Sequence, residues 1–355
     1  MRLGCVVMLG VWAGCGSSLS PVDASVGPIS VDAASPDGAA ADLGAPEDLH
    51  VPNDLSVASP VDGPDLAWPD LAAPSADLAS PTTLPIGTTV TGIWGTGADN
   101  LYLATDAKIV YHIGADGVPH AQPVSGSLIG ITGSDAQHIW GLTIANAVFS
   151  NGDGNWTDQD NFNDTQFLYV TGIWAGGPDD IYATGIRQGG FGVIYHSTGD
   201  GQWHAQQATG TRMMGVWGRS SSDIYAVGWS RQVFHSSGGG IWTDLTAQFP
   251  SGSFTSVWGN ATDTFIAGTS IYHSQSGGAW TSDGQSSTTI WDLRGIWGSA
   301  SDDIWAVGAS GLLLHRDATG WTAGNSSTTS DLFAVWGTDA KHVWLGGTHL
   351  FRPLP

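Results

Sequence analysis

Five histidines, His112, His196, His235, His273 and His315, recur at similar intervals, each near the end of a short apolar run such as VIYHS. Imidazole is the commonest metal ligand and a proton carrier near neutral pH, so the recurrence invites a metal or acid–base reading. Geometry rejects one shared metal. If each run is the third strand of its own sheet, it lies two strand spacings, about 9–10 Å, outside the first, and equivalent atoms of neighbouring sheets stand roughly 8 Å apart. Zinc ligands sit about 2 Å from their ion. Each ring is therefore expected to hydrogen-bond the adjacent turn of its own sheet.

Carboxylates offer a second chemistry. The segment TDQDNFNDTQ (157–166) gathers Asp158, Asp160, Asn161, Asn163 and Asp164, hard oxygen donors of the sort calcium takes. It has no central Gly and no closing Glu, so it is not an EF-hand, and a solvated polar loop is the competing expectation. No other cofactor is expected. Glycoside hydrolysis ordinarily needs a carboxyl pair. The one Glu of the chain, Glu47, stands in a Pro- and Ala-rich stretch near the start, so a pair would have to be two Asp, and nothing singles two out. The sequence carries no G-x-S-x-G, P-loop or H-E-x-x-H.

Recognition is the third. Arg187, Gln188, Arg212, Trp229, Arg231, Trp291, Asp292 and Arg294 break an otherwise repetitive pattern. An aromatic ring beside a guanidinium can stack on and hydrogen-bond a sugar or a peptide. The bland alternative is that these residues fill loops.

The elements that must hold these residues are written as a repeat. GIWGSASDDIWAVG (295–308) has near-copies at 92, 172 and 215 and looser ones at 130, 256 and 334, giving steps of 38 to 43 residues. The copy at 130 has Thr132 in place of its first Trp. Each period reads as a Trp-bearing apolar strand, a short turn, a second strand (DIYAVG), a third ending in His, and a fourth opening on Trp. Four short strands at a period near 40 are one propeller blade. A lone sheet of that size is not stable, and packing sheets face to face explains why the strands are apolar throughout and not alternating. The expected fold is thus all-β, a seven-bladed β-propeller of four-stranded antiparallel blades over 82–355. The unused segment TTLPIG (82–87) is expected to supply the outer strand of the last blade and close the ring. The repeated Trp (94, 174, 217, 258, 297 and 336) are expected to fill the layers between blades. The recognition residues named above fall on the face where second-to-third and fourth-to-first loops meet.

The turns FSNGDGNW, HSTGDGQW, HSSGGGIW and HSQSGGAW resemble degenerate Asp-box turns of sialidase-type (BNR) repeats, with Asp153 and Asp200 near the Asp position. In that family these Asp are structural, so the resemblance implies a fold more than an activity. Sialidase catalysis uses an arginine triad, a Tyr activated by Glu, and an Asp. Here the repeat region has no Glu, and Arg187, Arg212, Arg219, Arg231, Arg294, Arg316 and Arg352 are scattered among blades. No catalytic residue is assigned.

The opening MRLGCVVMLGVWAGCGSS has a basic residue, a short apolar run and small residues before Cys15, the layout of an export signal. Ala13-Gly14-Cys15 resembles the lipobox of bacterial lipoproteins, with Trp12 where Leu is usual. That resemblance implies a signal peptide over 1–14 and a lipid on Cys15; an ordinary cleaved signal is the alternative. Residues 15–81 are rich in Pro, Ala and Asp, with Asp-Leu recurring six times. This composition cannot build a core, and the expectation is a disordered tether reaching roughly 45 Å as a coil. Both cysteines precede residue 16, so the repeats contain no disulfide. Net charge is -22, which repels phosphate backbones and excludes nucleic acid as a partner. These expectations combine into a monomeric, non-enzymatic scaffold, lipid-anchored in a bacterial cell envelope at the outer membrane or surface, binding an extracellular glycan or protein. The alternative is an extracellular glycoside hydrolase of sialidase-like fold.

Overall fold

A computed structural model describes residues 88–159, 161–283 and 292–351. They form a β-propeller. Six blades carry four antiparallel strands each: 90–123, 128–159, 167–209, 213–244, 254–282 and 293–323, numbered 1 to 6 here. The last copy of the repeat forms a three-stranded sheet (334–351). This corrects the expected ring of seven four-stranded blades to six such blades and one three-stranded sheet. The segment expected to complete it, 82–87, lies outside the described residues, as do the export signal, Cys15 and the tether. The innermost strand of each sheet packs on that of the next, and the three-stranded sheet packs on both blade 6 and blade 1.

The strands follow the reading of the repeat. Val90–Gly97, Leu128–Asp135, Met213–Ser220 and Leu293–Ala300 open their blades, and the DIYAVG-type runs make the second strands. Second strands are buried along nearly their whole length because neighbouring sheets cover both faces. The expectation for the repeated Trp holds, and the structure adds its mechanism. Each indole reaches across the seam to the Gly that follows Trp, or its counterpart, in the next sheet. A Cβ on Gly133 would stand 2.5 Å from the ring of Trp94; Gly218 meets Trp174 at 2.8 Å, Gly259 meets Trp217 at 2.9 Å, Gly298 meets Trp258 at 2.8 Å, and Gly337 meets Trp297 at 2.6 Å. From the three-stranded sheet, Trp336 would stand 3.1 Å from a Cβ on Gly95 of blade 1. Blade 2 alone offers Thr132 and no indole, and the socket facing it in blade 3 is Ala175, in the same register as the glycines. Knob and socket change size together.

From blade 1 to blade 6 the seams alternate in chemistry. Between blades 1 and 2, 3 and 4, and 5 and 6, an inner-strand hydroxyl crosses the seam: Thr91 donates to the Leu128 carbonyl (2.9 Å), Thr171 to Met213 (2.9 Å) and Thr255 to Leu293 (2.6 Å). At the outer edge of the same seams an indole N–H donates back to the preceding blade: Trp156 to Gln122, Trp242 to Gln206, and Trp321 to Asp283. The intervening seams are plugged by aromatics. Phe162 stacks on Phe167 and Trp203 at 4.8 and 5.0 Å between blades 2 and 3. Phe249 meets Phe254, Tyr272 and Trp280 within 5.3 Å between blades 4 and 5.

The insert 157–166 is therefore not the loop expected of it. Thr157–Gln159 is the fourth strand of blade 2, and Asn161–Phe162 adds a parallel strand to the outer edge of blade 3.

Candidate functional site

The five recurrent histidines are structural. His112 Nε2 donates to Asn100 Oδ1 at 2.7 Å; His196, His235, His273 and His315 donate in the same way to Asp180, Asp223, Asp263 and Asp303 at 2.6–2.9 Å. Each acceptor opens the second strand of the same blade, as the strand order requires. Each ring also lies 4.0–4.5 Å from an aromatic of that strand: Tyr102, Tyr182, Tyr225, Phe265 or Trp305. Burial pushes the carboxyls of Asp223, Asp263 and Asp303 upward, but hydrogen bonds outweigh it, those from His235, from Ser301 with Thr262 and His273, and from His315 with Ser299. All three are held below the usual carboxylate range. These three carboxylates thus serve as acceptors within their own blades.

Several predicted contact residues are committed as well. Arg187 Nε donates to Asp164 at 2.6 Å, and Tyr195 Oη donates to the same oxygen at 2.7 Å. Burial opposes ionisation of Asp164, yet these donors and the Gln166 N–H keep it lowered. Asp164 thus anchors the insert to blade 3, while Asp158 accepts from Ser125 at 2.5 Å. Asp160 lies outside the described residues, and among those described no cluster of three metal-ligating side chains occurs. Arg294 donates to Asp331 at 2.8 Å, approaches Asp292 at 3.6 Å and covers the Phe333 ring. Trp291, expected beside it, lies outside the described residues. Asp153 and Asp200 cap their own turns, accepting from the N–H of Asn155 and Gln202.

The blade 4 group is different. The Arg212 guanidinium lies 4.7 Å over the Trp229 ring, and the Trp229 N–H donates to the Arg212 carbonyl at 2.9 Å. Ser230 and Arg231 follow at φ 54 and 68, two successive non-glycine residues in the left-handed region. Each such residue costs on the order of 1 kcal/mol or more, and the loop is held there by Arg231 N–H to Gly252 O (2.9 Å) and its guanidinium to Phe249 O (3.0 Å). The strained turn presents an indole to solvent. Among the described residues no carboxylate pairs with Arg212 or Arg231.

The same face carries more than the sequence disclosed. A hollow of about 540 Å³ opens there over blades 1 and 2 and the three-stranded sheet, lined by Thr89, Asp106, Ser127, Ile144, Asp331, Phe333 and others. From Ile144 at its rim, exposed apolar side chains continue through Leu168 and Phe191 to Trp229. Gln188 belongs to this arc by its backbone, its N–H donating to Gln166 O at 2.8 Å. Leu168 and Ile144 gave no warning, because an apolar residue at a strand end reads as core. A second hollow of about 510 Å³ opens on the opposite face, lined by small residues and by Trp94, Trp174, Trp297 and Trp336. The cation there, Arg219, is occupied by Asp223, Thr264 and the Asn260 carbonyl.

No protein-family model matches the sequence, and no curated protein matches it. Among solved structures it is similar to virginiamycin B lyase from Staphylococcus aureus, with a TM-score of 0.66 at 14% identity over 79% of this chain and 99% of that one. It is also similar to YCF48 from Cyanidioschyzon merolae, with 0.59 at 15% over 78% and 98%, and a YCF48 has been solved bound to D1 peptide. The WD40 β-propeller domain of Doa1 gives 0.58 at 6% over 79% and 97%. At such identities the likeness is one of fold. One of these propellers is a lyase, so fold alone leaves both binding and catalysis open.

Proposed function

We propose that this protein is a binding scaffold without catalytic activity, engaging its ligand on the face that carries the 540 Å³ hollow and the Arg212–Trp229 pair. One observation carries the reading. The recurrent His–Asp pairs are held inside their blades by hydrogen bonds and aromatic contacts, whereas four of the six exposed large apolar side chains among the described residues, with the Arg212–Trp229 pair, gather on one rim. A YCF48 of the same fold solved bound to D1 peptide agrees with that use of a propeller. The ligand is extracellular, a glycan or a protein, and the chain is exported and lipid-anchored through Cys15; this part rests on the N-terminal sequence alone. Sugar stacking and peptide contact both suit an Arg–Trp pair.

The test applies the full chain to a glycan array, to a panel of displayed peptides and to chromogenic glycosides. Saturable binding without turnover, lost in Trp229→Ala, is expected. Turnover abolished by a single Asp→Asn change would overturn the scaffold reading in favour of a hydrolase.

A further inference from the structure

Taking that binding face as its basis, we infer that its ligand is a polypeptide segment that lays apolar side chains along blades 2 to 4 and places a carboxylate on Arg212 and Arg231. Six large hydrophobic residues are exposed among those described. Four lie on this face in consecutive blades: Ile144 at 44%, Leu168 at 50%, Phe191 at 54% and Trp229 at 41%. The other two, Val118 and Ile241, sit on the third-to-fourth turns at the opposite side. Backbone contacts make the four neighbours. The Val170 N–H donates to Ile144 O beside Leu168; the Arg187 N–H donates to Phe191 O; the Thr211 hydroxyl donates to Trp229 O. Gly192, next to Phe191, packs against the backbone of Thr211 and Met213. Phe191 itself rests over Gly189, whose φ of 84 turns the loop so that the ring stands outward.

The chemistry of the arc separates two ligand classes. A sugar ring needs an aromatic face and hydrogen-bonding groups, which Trp229 and Arg212 supply and which Ile144 and Leu168 do not. Branched aliphatic side chains exposed in a row mark contact with other apolar side chains, as at protein interfaces. The charge is equally selective. In a chain of net charge -22, Arg187 and Arg294 on this face are neutralised by Asp164 and Asp331. Arg212, over the Trp229 ring, and Arg231, which spends one guanidinium N–H on Phe249 O, have no carboxylate partner among the described residues, and a guanidinium fork is built to receive a carboxylate. An acidic side chain or a free C-terminus of the partner supplies the same group. The surrounding negative field disfavours a strongly acidic partner, so one carboxylate beside two or three apolar residues is the fitting pattern.

The experiment is a selection of a phage-displayed random dodecapeptide library on the full chain, counter-selected on a Leu168→Ser/Phe191→Ser/Trp229→Ala variant. Enriched sequences are expected to join Asp or Glu, or a C-terminal carboxylate, to apolar residues; amidated and free-acid versions of one synthetic peptide distinguish those two sources. Affinity should fall at least tenfold in Arg212→Gln and in Phe191→Ser, with melting temperatures unchanged, and stay as it was in Ile241→Ser on the far side. No enrichment, or peptides held equally by the triple variant, overturns the inference. If a glycan alone binds and is lost in Trp229→Ala, the peptide inference fails while the binding face stands. If neither ligand class binds, both fail.

Discussion

At the scale of single residues, the knob-and-socket ring makes the sharpest prediction. A Cβ on Gly133 would stand 2.5 Å from the Trp94 ring and 2.9 Å from the His138 carbonyl, so a methyl there must push an indole wedged in a seam. Gly133→Ala should cost about 1–3 kcal/mol by overpacking, read as a lower urea midpoint. Ala175→Gly, opposite the smaller Thr132, should cost no more than about 1 kcal/mol. The carboxyls provide a second prediction. Asp223, Asp263 and Asp303 are held below the unfolded carboxylate value near 3.9. Their contribution is complete above about pH 4 and is lost as pH falls through their folded values. Asp303→Asn should keep an acceptor for His315, as Asn100 does for His112. It should cost roughly 1 kcal/mol at pH 7 and shrink the fall in urea midpoint between pH 5 and 3; an unaltered acid limb would show that Asp303 does not titrate with folding.

At the scale of elements, the sequence was informative where a pattern is local and silent where a partner is remote. GIWG and DIYAVG announced their strands because sheets covered on both faces are apolar throughout, and the turn after each third strand placed its His within its own blade. The insert 157–166 misled because its polar residues look like a loop, while the single Phe162 decides its placement by stacking between Phe167 and Trp203. Arg187 and Arg294 looked like free contacts since their acids, Asp164 and Asp331, stand 23 and 37 residues away. The match of Thr132 with Ala175 was visible in the letters but has meaning only once the blades are neighbours. Removing the tie of the insert tests this account: Asp164→Asn should raise amide exchange over 161–167 by roughly tenfold or more, with blade 6 unaffected, since a local opening need not pass through global unfolding.

At the scale of the whole molecule, stability and recognition separate onto different surfaces. The packing that closes the ring runs through buried Trp, Gly and Thr at the seams. Trp229 and Phe191 take no part in it and stand in solvent. Trp229→Ala should therefore change stability, read from the thermal midpoint, by no more than the roughly 0.5 kcal/mol usual for surface positions while weakening ligand binding; a large loss of stability would mean that the indole is structural after all. Because six of the seven seams carry an indole–glycine pair and the remaining one its smaller Thr132–Ala175 counterpart, every sheet offers a knob to one neighbour and a socket to the other. A chain cut between blades 1 and 2 and rejoined elsewhere would meet the same neighbours in the same cyclic order. The architecture is indifferent to where its thread starts, which leaves the rim over blades 2 to 4, and not the ring, as the part of this molecule that has a fixed address.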